Sequence, residues 1–198
     1  FAPETIGTIC FLHKNRKTIK QSVEYGLVAT CVGDAGHFTY KKSRTPNSDI
    51  NRIIEHIFAH KGLTNRIRNF SPLGSDERQY CSPNVDLPIA SIMRTKFGEY
   101  PEYHTSLDNL DNVVTPDGLM GGFLALKKAI TAIEKNSFPM IKVLGEPQLG
   151  KHGLYPSIGG PKASEELRVM MNLITHADGK KDLIDIAEIC NIPVWDLY

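Results

Sequence analysis

The sequence predicts an α/β fold, a mixed or mostly parallel sheet flanked by helices, followed by a small helical domain. Residues 27–32 form a continuous apolar segment that ends at two glycines around Asp34, a pattern typical of a central strand covered on both faces. Residues 48–61 repeat apolar side chains at helical spacing. Three short helical patterns occupy residues 162–198. Strands alternating with helices and then helices alone indicate two domains.

The other elements of the first domain follow from shorter signals. Ser48 and Gly62 mark the start and the end of the helix between them. Thr115-Pro116 places a capping residue before a proline at the first helical position, so a long helix begins there and runs to about Asn136. Residues 1–12 predict the end of a strand, then a loop with Gly7, and then an apolar stretch at 9–12 that is either strand or helix. Two further strands are predicted at 38–42 and 87–93.

Residues 138–161 are rich in proline and glycine and predict a linker or an extended strap. This divides the chain into a first domain at residues 1–137 and a helical domain at residues 162–198. The helical domain is predicted to contain two helices joined by a turn and a third helix that begins at Pro193. This arrangement resembles a winged-helix or helix-turn-helix core. The chain starts as if inside a strand and ends as if inside a helix, so we expect it to be part of a longer protein with a truncated winged-helix-like domain.

The composition excludes several classes of function. The 198 residues carry a net charge of +1, which gives no electrostatic case for binding nucleic acid or a membrane surface through the chain as a whole. Every apolar segment falls well short of about 18 residues, so no membrane span is expected. The four cysteines are scattered without C-x-x-C spacing, which favours reduced thiols and a cytoplasmic location.

Acidic residues and one histidine stand where strands or loops end. His104 lies among small polar and acidic residues, Asp34 closes the strand at 27–32, and Glu4 precedes Thr5 near the start. Carboxylates and histidine in such places build hydrolytic zinc sites. The alternatives are a turn aspartate at position 34, a solvated glutamate at position 4, and a buried structural His104 bonded to Asp108.

A second polar cluster, Gly74-Ser75-Asp76-Glu77-Arg78, has two interpretations. It is either a helix start with a capping serine or a loop that contacts substrate through Glu77 or Arg78. The C-terminal segment mixes acidic and basic residues between positions 180 and 188, and this balance disfavours binding to a phosphate backbone.

Taken in order, five segments resemble one known family. They are Phe1-Ala2-Pro3-Glu4-Thr5-Ile6-Gly7, Val32-Gly33-Asp34, Gly74-Ser75-Asp76-Glu77-Arg78-Gln79, Leu87-Pro88 and Glu99-Tyr100-Pro101-Glu102-Tyr103-His104-Thr105-Ser106-Leu107-Asp108. The chain is similar to bacterial aminopeptidase-like proteins, relatives of the co-catalytic zinc aminopeptidases that are often labelled polysaccharide-biosynthesis proteins. Members of this family typically carry a C-terminal winged-helix domain.

The resemblance implies a three-layer zinc-exopeptidase-like sheet that holds one or two zinc ions. It makes Glu4 the general base, Asp34 a terminal ligand of one metal and His104 a terminal ligand of the other. The substrate cleft would be lined by Glu77, Arg78 and Tyr103.

Two departures from the family pattern affect this metal site. Thr5 stands where the family usually has a second, metal-binding glutamate. The family's first histidine ligand and its bridging aspartate are expected upstream of this segment.

The function implied by the resemblance is zinc-dependent hydrolysis of peptide bonds, as in an aminopeptidase. The expected partner is a peptide or another small amide substrate, with no membrane or nucleic acid, and a homo-oligomer is left open. One alternative is an amide hydrolase of surface-polysaccharide biosynthesis. The other is a catalytically degenerate peptidase scaffold that serves binding, which Thr5 favours.

Overall fold

The computed structural model describes residues 2–155 and 161–198, with side chains from position 163 onward in the second range. Phe1 and the glycines predicted to break the chain near position 160 lie outside the described residues. The described chain divides into two compact units, one up to Ile133 and one from Glu134 to Tyr198. Across the described ranges, no helix combines the length and the apolar character needed to cross a bilayer.

The first unit contains a small mixed sheet with helices. Its elements are α1 (Ile6–Ser22), β1 (Gly26–Ala29), β2 (Thr39–Lys41), α2 (Asp49–His60), β3 (Ile67–Arg68), α3 (Glu77–Tyr80), β4 (Ile89–Met93) and α4 (Pro116–Lys135). The strand order is β1-β4-β2-β3. β1 runs parallel to β4, β2 runs parallel to β3, and β2 and β4 are antiparallel. The predicted α/β class is confirmed.

The strand predicted at residues 27–32 differs from the observed β1 in length and position. β1 ends at Ala29 and lies at the edge of the described sheet, and its residues are half-buried or exposed. The central strands of the described sheet are β4 and β2, which are buried along their whole length and each have a paired neighbour on both sides. The apolar pattern therefore identified a strand, but the prediction that it is central is wrong for the described sheet.

Residues 6–22 form a helix, so the expected loop at Gly7 is absent from the described backbone. Leu12 and Ile19 point from α1 into an apolar cluster whose other members are Cys81, Val85, Leu87 and Ile89. This packing fixes α1 against α3 and the segment that follows it, and it places the start of α1 beside Asp76.

The two helices that the sequence predicts at residues 48–61 and from Thr115 to about Asn136 begin and end close to their predicted positions. In α2, all the side chains of the predicted stripe, Ile50, Ile53, Ile54, Ile57 and Phe58, are buried, together with the polar Asn51 and His56. Gly62 follows α2 with a φ of 67°, which favours glycine. Thr115 caps α4, because its Oγ1 accepts a hydrogen bond of 2.9 Å from the backbone N–H of Gly118.

The second unit is mainly helical. It contains a short 3₁₀ turn (Leu149–His152), α5 (Pro161–His176), α6 (Leu183–Cys190) and a final 3₁₀ turn (Val194–Leu197) that follows Pro193. Asp182 and Asp185 form a reciprocal capping box at the start of α6. The stretch predicted as a linker begins within this unit, because Met140 forms a β-bridge with Asp178.

Candidate functional site

The carboxyl ends of β1 and β4 meet at one edge of the sheet because the two strands are parallel. The backbone N–H of Arg94, just after β4, donates to the carbonyl of Cys31, just after β1, at 2.9 Å. β2 begins at this same edge, where Thr39 pairs with Met93. The loops at 30–38 and 94–115 therefore start from the edge at which open α/β sheets place their ligands.

Asp34 joins these two loops through its buried carboxylate. Its Oδ1 accepts hydrogen bonds of 2.6 Å from the N–H of Gly36 and 2.6 Å from the hydroxyl of Thr95. Its Oδ2 accepts one bond of 3.1 Å from the N–H of Thr95. A carboxylate oxygen has two acceptor positions, so only Oδ2 retains one for a cation. Asp34 therefore makes the hydrogen bonds of a turn aspartate and can still bind a metal through one oxygen. Carboxylates that bind metals are usually also held by hydrogen-bond donors of this kind.

The loop after β4 carries an aromatic cluster that includes His104. The imidazole of His104 stacks on the ring of Tyr103, with centroids 4.0 Å apart and planes 16° apart. Tyr100 packs edge-on against Tyr103 and donates a 2.8 Å hydrogen bond to Asp108. His104 is exposed, so the alternative of a buried histidine bonded to Asp108 is wrong. Within the described part of the chain, its ring nitrogens have no hydrogen-bond partner.

The pKa values of Tyr103 and Tyr100 are raised, and Glu4 contributes to the shift of Tyr103. Burial raises the pKa of Tyr103, and electrostatic interactions with Cys31, Glu4 and Asp108 raise it further. Burial also raises the pKa of Tyr100, as do its hydrogen bonds to Asp108 and Cys31. Both phenols therefore remain protonated donors at neutral pH, and the Glu4 carboxylate lies within electrostatic reach of Tyr103.

Thr5 fixes the backbone next to Glu4. Its N–H donates to Oδ1 of Asp76 at 2.7 Å, and its hydroxyl accepts from Nη2 of Arg78 at 3.1 Å. Nε of Arg78 is buried without a partner among the described residues. Glu4 itself is exposed. The start of α1 and the polar cluster at 74–78 thus meet at Thr5, the residue next to Glu4.

Backbone strain is concentrated in this region. Thr5, Cys31 and His104 have φ angles of 64°, 47° and 60°, and they are three of the five non-glycine residues with positive φ in the described ranges. Such conformations cost about 1–3 kcal/mol each and cluster at active sites and ligand clamps. A β-branched threonine at this angle is a genuine outlier.

Glu77, which was predicted to line the substrate cleft, is fully buried. Its Oε1 lies 2.7 Å from Nζ of Lys41, and the two side chains are 0% and 1% exposed. Oε2 has no partner in the described residues. Gly74 covers the pair closely, since a Cβ there would lie 2.5 Å from Oε1. Glu77 thus has no surface through which to contact a substrate in this conformation.

The described residues do not complete a metal site by themselves. In residues 2–155 and 161–198, no three or more His, Cys, Asp and Glu side chains are grouped as metal ligands. A catalytic zinc usually takes three protein ligands. The donors that fit are Oδ2 of Asp34 and the imidazole of His104, and no hydrogen bond or ion pair in the described structure joins them to each other or to Glu4.

Tyr100, Cys31 and Asp76 were missed by the sequence analysis. Tyr100 stands in the same segment as His104, and Asp76 stands in the polar cluster, so both were inside recognised motifs. Cys31 gave a weaker signal, because it looked like part of the apolar strand. Its left-handed backbone and its contact with Tyr100, 3.7 Å from Sγ to the hydroxyl, are visible only in the fold.

Comparisons with known proteins identify the family of the first domain and the class of the second. Residues 1–136 match the model of a domain family of unknown function, DUF4910, and the chain belongs to this family. Residues 137–198 match a winged helix-turn-helix model, so the predicted winged-helix domain is confirmed.

Two relatives come from Clostridium acetobutylicum. One is 42% identical over 190 residues and is provisionally named a polysaccharide biosynthesis protein with an aminopeptidase-like domain. The other, a crystal structure provisionally described as a peptidase, matches the whole chain with a TM-score of 0.85 and 36% identity. The chain spans 43% of the length of each relative. The resemblance to aminopeptidase-like proteins is thereby confirmed.

Proposed function

We propose that the full-length protein is a zinc-dependent hydrolase of peptide bonds, an aminopeptidase, built on a three-layer zinc-exopeptidase sheet. The chain described here supplies the C-terminal part of that catalytic domain. The observation that carries the proposal is that the charge of Glu4, about 100 positions earlier in the chain, acts on Tyr103, whose ring stacks on His104, while the backbone is strained at Thr5 and at His104. The aminopeptidase-like relatives support the same reading.

Glu4 is the general base in this proposal. Its carboxylate is exposed, and the bonds of Thr5 to Asp76 and Arg78 hold its backbone in place. It takes a proton from the attacking water and later delivers it to the leaving amine, a role worth about 10²–10⁴-fold in rate. Tyr103, protonated at neutral pH, and Arg78 donate hydrogen bonds to the substrate.

Asp34, through Oδ2, and His104 would each hold zinc, one or two ions in all, with further ligands from outside this chain. When bound, zinc polarises the scissile carbonyl and lowers the pKa of bound water to about 7. The bonds from Gly36 and Thr95 orient Asp34, and the stacking on Tyr103 fixes the plane of the His104 ring. The cytoplasmic location stays a prediction of the sequence.

Two observations favour other functions. The name of one relative includes polysaccharide biosynthesis, which favours an amide hydrolase that acts on amino-sugar derivatives. Thr5 occupies the place of a carboxylate ligand and engages Arg78, which favours a scaffold that binds without catalysis. The three functions differ in which substrate, if any, is cleaved.

The test compares Glu4→Gln with Glu24→Gln in the full-length protein. Glu24 is an exposed carboxylate beyond the end of α1, so its substitution removes the same charge away from the site. Both variants and the wild type are assayed on aminoacyl p-nitroanilides and on N-acylated amino sugars, and zinc is measured after dialysis. We expect Glu4→Gln to lose about 10²–10⁴-fold in kcat with its zinc retained, and Glu24→Gln to match the wild type.

Each other result assigns a different role. Loss of zinc together with activity in Glu4→Gln would make Glu4 a ligand. Unchanged turnover would remove Glu4 from the mechanism. Cleavage of amino-sugar amides but not of p-nitroanilides would establish the polysaccharide alternative, and a wild-type protein inactive on both substrate sets with zinc bound would support the binding scaffold.

A further inference from the structure

The middle of α1 is strongly basic. Lys14, Arg16, Lys17 and Lys20 are all exposed, and α1 contains no acidic residue. None of the four forms an ion pair with a residue that the structure describes. Because the whole chain has a net charge of only +1, the rest of the sequence has a small acidic excess, and α1 stands out by carrying basic residues without acidic ones.

These charges do not stabilise the helix that carries them. Lys17 stands three positions from both Lys14 and Lys20, and Arg16 stands four positions from Lys20. Like charges at these spacings face each other on a helix and repel. Only Lys20, in the last turn, gains from the helix dipole. The arrangement is therefore better explained by an anionic partner than by folding.

The basic residues border a groove of about 870 Å³ between α1 and the segment that follows α3. Its volume lies within the usual range of small-ligand sites, about 300–1,000 Å³. Most side chains around it are cations or neutral groups that donate and accept hydrogen bonds, and Ile9, Leu12, His13 and Val85 complete the lining. The neutral polar members are Asn15, Thr18, Gln79, Ser82 and Asn84, and the cations are Lys14, Arg16 and Lys17.

We propose that this groove, the α1 groove, binds an anionic oligosaccharide. Amides and hydroxyls match sugar hydroxyl groups, which also donate and accept, while the lysines and the arginine pair with carboxylate or sulfate groups on the sugar. This inference does not depend on the proposed hydrolase activity, because the α1 groove contains neither Glu4 nor His104.

Other anionic partners fit the α1 groove less well. Single-stranded nucleic acids are held on aromatic platforms, and no Phe, Tyr or Trp lines the groove in the described structure. A flat membrane surface would reach the lysines but not the amides and hydroxyls inside the concavity. A sugar chain with acidic groups matches the cations and the polar side chains, and the C–H faces of its rings match the apolar surface of Ile9, Leu12 and Val85.

The test measures binding of hexagalacturonate to the full-length protein by titration calorimetry, with neutral maltohexaose for comparison. The Lys14→Gln/Lys17→Gln double variant removes two cations from the α1 groove and keeps the helix propensity of those positions. Lys142→Gln/Lys151→Gln removes two exposed lysines from the second unit and serves as the charge-matched control. We expect about a tenfold or greater loss of affinity in the first variant only, and a shallower salt dependence.

A third variant, Asn84→Ala, tests the neutral part of the α1 groove. It should weaken binding of hexagalacturonate without changing the salt dependence, because it removes hydrogen bonds and no charge. Equal losses in both lysine variants, or no binding by the wild type, would overturn the proposal. Tighter binding of duplex DNA, or of vesicles that contain phosphatidylserine, would also overturn it and assign the basic face to that partner.

Discussion

Replacing Lys41 with methionine should destabilise the first unit strongly. The ammonium group of Lys41 bonds Oε1 of Glu77 at 2.7 Å and the carbonyl of Leu73 at 2.5 Å, in a site where neither charged side chain is more than 1% exposed. The rings of Phe70 and Phe97 lie 5.5 Å and 5.6 Å from Nζ. Methionine keeps the apolar stem of the lysine but leaves the Glu77 carboxylate buried among apolar groups.

The magnitude follows from that isolated charge. Removing one partner of a buried pair costs about 3–5 kcal/mol, because the remaining charge has lost both water and its counter-ion. Lys42→Met is the matched control on the next residue of the chain. Lys42 pairs with Glu55, but the two side chains are 23% and 33% exposed. Exposed pairs contribute about 0–1 kcal/mol, so the control should unfold almost like the wild type.

The assay is urea unfolding followed by far-ultraviolet circular dichroism. A third protein, Lys41→Met/Glu77→Leu, removes both charges and should recover most of the loss, since replacing a buried pair by apolar residues is often neutral. A loss below about 1 kcal/mol in Lys41→Met would refute the reasoning, because it would mean that water reaches Glu77. Failure of the double variant to recover would mean that packing, and not charge, holds this region.

Two further predictions test the fold. Gly118→Ala should destabilise the protein by about 1–3 kcal/mol in urea unfolding, because its Cβ would collide with the carbonyl of Gly33. Gly121→Ala should cost less, because its Cβ would collide with the side chain of Arg94 and not with the backbone. Burial raises the pKa of Tyr40, and nearby Glu55 and Cys81 raise it further, so this phenol stays protonated in the folded state after the unfolded state ionises near pH 10. Above pH 10, the free energy of unfolding of the wild type should then fall by about 1.4 kcal/mol per pH unit because of this group. The Tyr40→Phe variant should cost roughly 1 kcal/mol at neutral pH, and this cost should vanish near pH 11. A cost that stays constant with pH in urea unfolding would contradict the assignment.

The sequence predicted the elements whose apolar pattern is dense and failed where burial is sparse. In α2, five apolar residues at helical spacing left no doubt about the helix. In α1, the buried residues are Thr8, Leu12 and Ile19, too widely spaced among polar side chains to form a visible stripe. The order of strands was not predictable either, because an apolar run shows that a strand is packed but not how many neighbours it pairs with.

The candidate site was predictable where the motif residues are exposed. Glu4 and His104 belong to recognisable segments, and both lie at the surface near Tyr103. Glu77 stood in an equally polar segment, but its direction depends on Lys41, which lies 36 positions earlier in the chain. Local polarity predicts exposure, and only the tertiary structure reveals a buried counter-ion.

The buried pair and the proposed base are connected through consecutive residues. Asp76, Glu77 and Arg78 alternate in direction, because Glu77 points inward to Lys41 while its two neighbours bind the backbone and the hydroxyl of Thr5. The pair therefore anchors the short helix α3, and α3 in turn holds the strained residue next to Glu4. A strained backbone such as that of Thr5 persists only when the structure around it is rigid. The Lys41–Glu77 ion pair supplies this rigidity, because separating the two side chains would leave an unpaired charge in an apolar core. The position of Glu4 is consequently set from inside the protein, by residues that never reach the cleft.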